Sequence, residues 1–195
     1  MNLQDICFDD FMTYDHKLRK RILNDPELLK IMVRKNIKEK RYLHSLSVAD
    51  LAKELASIHH VDPEKAYIAG LLHDVTKYFS EEEHDAYLRF YDPEKLNYPE
   101  SCKHSFSAKY FLKEKLNLHD KDILNAIYNH TICFSRDALS VILYIADKRE
   151  PLRGIDDDVV KIAKEDLHKA FEKLNWDVER YLREVKNEKF IGNGI

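Results

Sequence analysis

The chain has 195 residues, of which 44% are apolar, 34% are charged and four are glycine, and its formal net charge is −3. This length and apolar content suit one domain with a buried core, while a charged fraction above the globular average of about 25% is typical of solvated helix faces. A slightly negative chain is poorly suited to a broad electrostatic surface for nucleic acid, so we expect no nucleic-acid partner.

The cysteines and the lengths of the apolar runs indicate in which compartment the protein is expected. The three cysteines are scattered and form no CxxC pair, which favours a reducing compartment over a disulfide-built scaffold. The sequence starts without a signal-peptide pattern, and no apolar run approaches the roughly 20 residues of a membrane span. A cytoplasmic location without a membrane partner is therefore expected.

Glycine motifs that bind phosphate are absent. Neither GxGxxG nor GxxxxGK(S/T) occurs, and two of the four glycines lie in the last four positions. Both glycine-built phosphate loops are thereby excluded. Any phosphate chemistry would depend on metals and side chains.

The first half of the chain carries clear helix signals. Residues 1–24 are a weakly patterned lead, predicted to be an accessory helix or arm. Asp25 followed by Pro26 predicts a helix start, because aspartate caps the first turn and proline lacks an N–H that this turn does not use. That helix should end near residue 36. Apolar residues at three- and four-residue spacing predict a second helix over 40–59.

Similar signals continue to the C-terminal half. Asp62-Pro63 repeats the start signal before AYIAGLLHD, and Ser80 with three following glutamates predicts another helix. Residues 91–103 contain two prolines and are predicted to be a long loop. Further helices are predicted at about 104–116, 120–130 and 136–149.

The end of the chain is predicted to be one more amphipathic segment. Pro151 and Gly154 interrupt the helical pattern, and Asp156 to Asp158 cap a segment that ends near Lys189. The fold class is predicted to be all-α, with one domain over 25–190 and a tail over 191–195.

Six side chains that can bind a metal are predicted to face the core, from five different helices. Each lies on or directly beside the apolar face of its helix, since residues three, four and seven apart share a face. They are His44, His73, Asp74, His104, His130 and Asp147. The other histidines are predicted to be exposed or structural: His16, His59, His60, His84, His119 and His168.

The two aspartates indicate a metal site more strongly than the histidines do. A histidine on an apolar face is more often a hydrogen-bonded core residue than a ligand. A buried carboxylate needs a cation, because desolvating it costs several kcal/mol. Lys77 alone cannot neutralise both carboxylates, and Lys148 and Arg149 are predicted to point away from the apolar face. A pair of divalent ions would satisfy both aspartates.

The ligand set indicates which metals and which chemistry to expect. Four imidazoles and two carboxylates without a thiolate suit Fe, Mn, Co or Zn. Two ions about 3.5–4 Å apart bind both the attacking and the leaving oxygen of a phosphoryl group, so the pattern favours phosphoryl hydrolysis. A redox di-iron site is the alternative, although such sites usually contain four glutamates and two histidines.

The motifs resemble those of a known family. The segments RYLHSLSVADLAKELA, AYIAGLLHDVTK, NHT and LYIADKREPLR occur in the order of an HD-domain phosphohydrolase. In particular the chain resembles the YqeK group, the bacterial symmetrical diadenosine tetraphosphatases, over about residues 27–190. The resemblance implies a helical HD-domain bundle with a dinuclear metal site in its core.

The resemblance also implies roles for particular residues. The family's metal ligands fall on His44, His73, Asp74, His104, His130 and Asp147. They would hold two divalent ions, with iron first and manganese, cobalt or zinc as alternatives. Asp74 would bridge the ions, and a hydroxide that bridges them would cleave diadenosine tetraphosphate to two ADP. Asp74 and Lys77 are the implied catalytic residues, and Lys77, Thr131 and Arg153 would bind phosphates.

Some positions depart from the family pattern, and two other functions stay open. Ile132, Cys133, Phe134 and Arg149 affect the expected shape of the pocket without removing a ligand. The first alternative is an HD-domain hydrolase of a nucleoside mono-, di- or triphosphate. The second is a non-catalytic, nucleotide-sensing HD module, which tight binding without turnover would favour.

Aromatic residues near the C-terminus are predicted to pack in the core. These are Phe171, Trp176 and Tyr181. Part of their face could instead form a homodimer interface.

Overall fold

The structure, a computed structural model, describes residues 6–175, and these form helices and loops without a β-strand. The helices are α1 (His16–Asn24), α2 (Pro26–Asn36), α3 (Glu39–Ile58), α4 (Pro63–Leu72), α5 (Glu81–Tyr91), α6 (Glu100–Leu116), α7 (Lys121–Asn129), α8 (Ala138–Arg149) and α9 (Val159–Glu165), followed by helical residues 167–175. Short 3₁₀ turns lie at Phe11–Thr13, Pro93–Lys95 and Pro151–Arg153. The predicted all-α class is confirmed. Within residues 6–175, no helix combines the length and apolar character of a membrane span.

Local capping signals fix where several helices begin. The side chain of Asp25 accepts a hydrogen bond from the backbone N–H of Glu27 at 3.1 Å, and Asp62 caps α4 in the same way. Ser80 and Glu83 form a reciprocal capping box at the start of α5. These contacts satisfy N–H groups that have no partner inside the helix, so the predicted starts are confirmed.

The predicted loop over 91–103 is too long. Helix α6 begins at Glu100, because Pro99 occupies the N-cap and its missing N–H removes no helical hydrogen bond. A 3₁₀ turn also forms at Pro93–Lys95. As a result His104 lies in the second turn of α6 rather than at its first residue.

The predicted C-terminal segment is interrupted at Asp166. This residue is extended, and its side chain accepts hydrogen bonds from the backbone N–H groups of His168 and Lys169. Phe171 is buried against Tyr144, as predicted, with 5.5 Å between ring centroids. The remainder of the segment, with Trp176, Tyr181, Lys189 and the tail 191–195, lies outside the described residues.

The N-terminal lead packs onto the same core as the later helices. Ile6, Phe8, Phe11 and Ile22 are buried in one apolar cluster with residues of α3, α4 and α8. The domain boundary after residue 24 stays a prediction.

Helices α3 and α4 pack at unusually short range. A Cβ atom at Gly70 would lie 2.5 Å from Cα of Ala49, so glycine is needed for the two backbones to approach. This approach brings the rings of His44 and His73 to a centroid separation of 5.2 Å.

Candidate metal centre

The structure brings all six predicted ligand residues together. His44 comes from α3, His73 and Asp74 directly follow α4, His104 lies in α6, His130 directly follows α7, and Asp147 lies in α8. The side chain of each is at most 12% exposed. Residues far apart in the chain therefore form one buried cluster.

Asp74 lies at the middle of the cluster. Its Oδ1 atom is 3.2 Å from Nε2 of His104 and 3.5 Å from Nε2 of His130. Its Oδ2 atom is 3.4 Å from Nε2 of His73 and 3.8 Å from Nε2 of His44. Each carboxylate oxygen therefore faces a different pair of imidazoles.

Asp147 lies on only one side of Asp74. Its Oδ1 atom is 3.1 Å from Nε2 of His44 and 3.7 Å from Nε2 of His73. The cluster thus has a His44 side, made of His44, His73 and Asp147, and a His104 side, made of His104 and His130. Asp74 lies between them.

Three of the imidazoles are oriented by hydrogen bonds from their outer nitrogen. Nδ1 of His73 donates to the carbonyl of Gly70, and Nδ1 of His130 donates to the carbonyl of Ile127, both at 2.7 Å. Nδ1 of His44 lies 3.0 Å from a carboxylate oxygen of Glu150. With Nδ1 protonated, the Nε2 lone pair points into the cluster, which is the tautomer that binds a metal.

Two buried polar atoms inside the cluster have no hydrogen-bond partner. These are Nε2 of His73 and Oδ1 of Asp74. Buried polar groups are otherwise nearly always satisfied, and both atoms carry lone pairs that a cation can accept. The residues present therefore fit a bound metal ion. The donor set of nitrogen and carboxylate oxygen suits a divalent transition metal.

Two carboxylates are buried and charged in the cluster. Burial by itself would raise the pKa of Asp74, but His73, His104 and His130 hold that pKa well below its usual range. Asp147 has a lowered pKa for the same reason, with Lys148 as the first stabilising charge. Burial opposes protonation of His73, yet the two carboxylates raise its pKa to about 10. Without another cation, a proton on this imidazole partly balances the aspartates.

Three long cations also contact the two aspartates. Nη1 of Arg41 is 2.7 Å from Oδ2 of Asp74, and Nη2 of Arg153 is 2.9 Å from Oδ1 of Asp147. Nζ of Lys148 is 3.2 Å from Oδ2 of Asp147. The prediction that Lys148 points away from the site is wrong, because its flexible four-carbon stem lets the ammonium reach back. Arg149 does point away and pairs with Asp157.

The other two predicted substrate-binding residues lie on the His104 side. Nζ of Lys77 is 3.2 Å from Nε2 of His104, and Oγ1 of Thr131 is also 3.2 Å from this atom. Burial lowers the pKa of Lys77. Lys103, although adjacent to His104 in sequence, turns away and pairs with carboxylates of α5.

Glu150 is the residue that the sequence reasoning missed. It is buried, and it accepts hydrogen bonds from His44 through Oε1 and from the backbone N–H of Leu152 through Oε2. The available signal was the EP pair after the ADKR segment, but its partner lies 106 positions away in the chain. The pairing depends on how α3 packs against the end of α8.

The histidines predicted to be structural or exposed have no contact with the cluster among the hydrogen bonds described. His84 is buried, and its Nδ1 lies 2.8 Å from Oγ of Ser107. Nε2 of His59 donates to the carbonyl of Ala163.

Comparison with known proteins identifies the family. The HD domain family matches residues 41–152, a range that contains all six clustered residues. A crystal structure from Clostridium acetobutylicum, described as a predicted HD superfamily hydrolase involved in NAD metabolism, superposes with a TM-score of 0.66 at 29% identity. The match covers 90% of this chain and 89% of that one.

Curated relatives match about 70% of this chain. The chain is 37% identical over 145 residues to a Mycoplasma genitalium protein named probable nicotinate-nucleotide adenylyltransferase/Ap4A hydrolase, covering 69% of this chain but 41% of the relative. The chain thus spans less than half the length of that protein. It is also 32% identical over 152 residues to the symmetrical bis(5′-nucleosyl)-tetraphosphatase of Bacillus subtilis, covering 71% of this chain and 77% of the relative. The chain belongs to the HD-domain phosphohydrolase superfamily and, within it, to the YqeK group.

Proposed function

We propose that this chain is a metal-dependent hydrolase that cleaves diadenosine tetraphosphate at its midpoint to give two ADP. The observation that carries the proposal is the position of Asp74, whose two oxygens face two separate groups of imidazoles. A carboxylate in this position suits two ions rather than one. The names of the relatives from Bacillus subtilis and Mycoplasma genitalium support the choice of substrate.

The residues that would hold the metals divide between the two sides of the cluster. His44, His73 and Asp147 would hold one ion, and His104 and His130 the other, with Asp74 shared. Two divalent ions supply positive charge for phosphoryl oxygens and lower the pKa of water toward neutrality. Iron is our first choice, with manganese, cobalt and zinc as alternatives that the same donor set accepts.

The remaining residues of the site would act on the phosphates. Lys77 and Thr131 lie on the His104 side, and Arg153 lies on the His44 side. Each of these side chains has a donor within hydrogen-bonding distance of a proposed metal ligand. Phosphate oxygens bound to the metals would therefore lie close to these donors. These donors would stabilise the charge that develops on the phosphoryl group.

The reaction adds one water across the central P–O–P bridge. The water oxygen bonds to one of the two central phosphorus atoms, and the bond from that phosphorus to the bridging oxygen breaks. The bridging oxygen stays on the other half, and both halves leave as ADP with release of the two protons of the water. ADP is a weakly basic leaving group, so we assign no separate general acid. Lys77, whose Nζ lies 3.2 Å from Nε2 of His104, would donate to the phosphoryl oxygens.

Product analysis tests this proposal. The protein would be purified anaerobically, reloaded in parallel with Fe²⁺, Mn²⁺ or Co²⁺, and given diadenosine tetraphosphate. ADP as the only product, abolished by a chelator, is the expected result. AMP and ATP as the products would mean that the metal centre binds the substrate and that the enzyme cleaves an outer P–O–P bridge of the tetraphosphate instead of the central one. No turnover with any metal would remove this substrate and favour another nucleotide or a nucleotide-sensing role.

A further inference from the structure

A cleft of about 400 Å³ opens on the His44 side of the cluster. Its more buried lining residues are His44 and Glu150, which belong to the metal centre and its support. Its more exposed lining residues include Leu43 and Leu152, whose exposed fractions are 46% and 65%. The cleft therefore leads from solvent to the proposed metal ligands.

The walls of the cleft combine cations with exposed leucines. Lys40, Arg41 and Arg153 line it, and the two arginines already contact the central aspartates. Leucine is usually buried, and here one leucine from α3 and one from the turn at Pro151–Arg153 face the same opening. An apolar rim beside guanidinium groups suits a ligand that has a flat aromatic ring at one end and phosphates at the other.

The backbone of Leu152 is held by Glu150, the residue that also contacts the proposed metal ligand His44. Its backbone N–H donates to Oε2 of Glu150 at 2.6 Å, and Oε1 of the same carboxylate lies 3.0 Å from Nδ1 of His44. Glu150 itself is buried. The rim of the cleft and one proposed metal ligand are thus fixed relative to each other.

We infer that this cleft is a nucleoside subsite, in which Leu43 and Leu152 contact the base while Arg41 and Arg153 contact the phosphates attached to it. The inference rests on the proposed function and extends it to substrate recognition. Ligand pockets are typically about 300–1,000 Å³, so a cleft near the lower end suits one nucleoside rather than a whole dinucleotide. The phosphate chain would then run from this cleft across Asp74 toward Lys77 and Thr131.

Binding measurements on the two halves of the ligand test the subsite. Calorimetry on Mn²⁺-loaded protein would compare ADP with pyrophosphate, which has the same phosphates without the nucleoside. Leu152→Ala and Leu43→Ala should each raise the Kd for ADP by about five- to twentyfold, because each removes apolar contact with the base. The Kd for pyrophosphate should stay within about twofold of the wild-type value.

Ile155→Ala is the matched control. Ile155 is 50% exposed, lies three residues after Leu152 and does not line the cleft. This variant should change neither Kd, and metal content should be equal in all four proteins. Since the leucines are exposed, the variants should also unfold at the wild-type temperature.

The result separates this inference from the proposed function, because no turnover is measured. ADP binding that weakens only in the leucine variants supports the subsite even if diadenosine tetraphosphate is not cleaved. Equal loss of ADP and pyrophosphate binding, an unchanged Kd for ADP, or a wild-type protein that binds neither ligand would each overturn it.

Discussion

Glu150 lies with Oε1 3.0 Å from Nδ1 of His44, although the two residues are 106 positions apart in the chain. Burial would raise the pKa of Glu150, but its hydrogen bonds to His44 and its neighbours lower it, so the carboxylate stays charged. A charged acceptor at Nδ1 fixes the tautomer of the ring and makes Nε2 a stronger donor to a metal.

Replacing Glu150 with Gln should weaken metal binding while leaving the metal-free fold intact. The amide has the same shape but no charge, and loss of such a supporting partner typically lowers metal affinity about 10- to 100-fold. Competition against a fluorescent chelator with Mn²⁺ or Zn²⁺ measures this directly. Asp157→Asn, which breaks an exposed ion pair with Arg149, is the control and should bind metal normally. Equal affinities in wild type and Glu150→Gln would contradict a supporting role.

Substitution of Gly70 by alanine should destabilise the protein through a steric clash. The added Cβ would lie 2.5 Å from Cα and 2.8 Å from N of Ala49, and both atoms belong to backbone that cannot yield locally. Overpacking of this kind costs about 1–3 kcal/mol. The carbonyl of Gly70 also orients His73, so metal affinity should fall as well. Urea unfolding of the metal-free protein gives the change in free energy.

Gly154→Ala is the comparison variant, because it introduces backbone strain without a steric clash. Gly154 has φ = +62° and nothing within 4 Å of the position that a Cβ would occupy. Alanine there should cost about 1–2 kcal/mol from left-handed backbone alone. The opposite result would be that Gly70→Ala lowers the free energy of unfolding less than Gly154→Ala and leaves metal affinity unaltered. That result would show that neither stability nor metal binding depends on the close packing of α3 on α4.

The parts of the fold that could be predicted depend on short-range chemistry. Asp25, Asp62 and Ser80 mark helix starts because each caps N–H groups two or three residues away. The six clustered residues could be selected because residues three, four and seven apart share a helix face. Glu150 could not be placed, since its partner His44 comes from another helix. The direction of the Lys148 side chain could not be predicted either, since its ammonium also donates to the carbonyl of His130, just past the end of α7.

His84 should make the stability of the metal-free protein fall in mild acid. Burial lowers its pKa to about 4, with the charge of His104 as a further cause, whereas an unfolded histidine has a pKa of about 6.5. Between these values the unfolded chain binds more protons, so stability is full above pH 6.5 and falls as the pH drops toward 4. The loss is at most about 3.4 kcal/mol.

His84→Asn isolates this contribution. Asparagine can keep the hydrogen bond to Ser107 but does not titrate in this range. Urea unfolding at several pH values between 7.5 and 4.5 should show a shallower loss of stability in the variant than in the wild type. His119→Asn, at an exposed histidine, should keep the wild-type slope. Identical slopes for wild type and His84→Asn would show that folding does not lower the pKa of His84.

Asp74→Asn should abolish the stabilisation that metal gives, because Asp74 is the only carboxylate whose oxygens face both sides of the described cluster. A ligand at 100 times its Kd raises the free energy of unfolding by about 2.7 kcal/mol, so wild-type protein should melt at a clearly higher temperature with Mn²⁺ than without it. The variant should melt at one temperature in both conditions and should fail to cleave nucleotide. Asp122→Asn, which alters an exposed partner of Lys65, should respond to Mn²⁺ as the wild type does. An Asp74→Asn protein that still binds two ions per chain would rule out the shared carboxylate and, with it, the two-metal proposal.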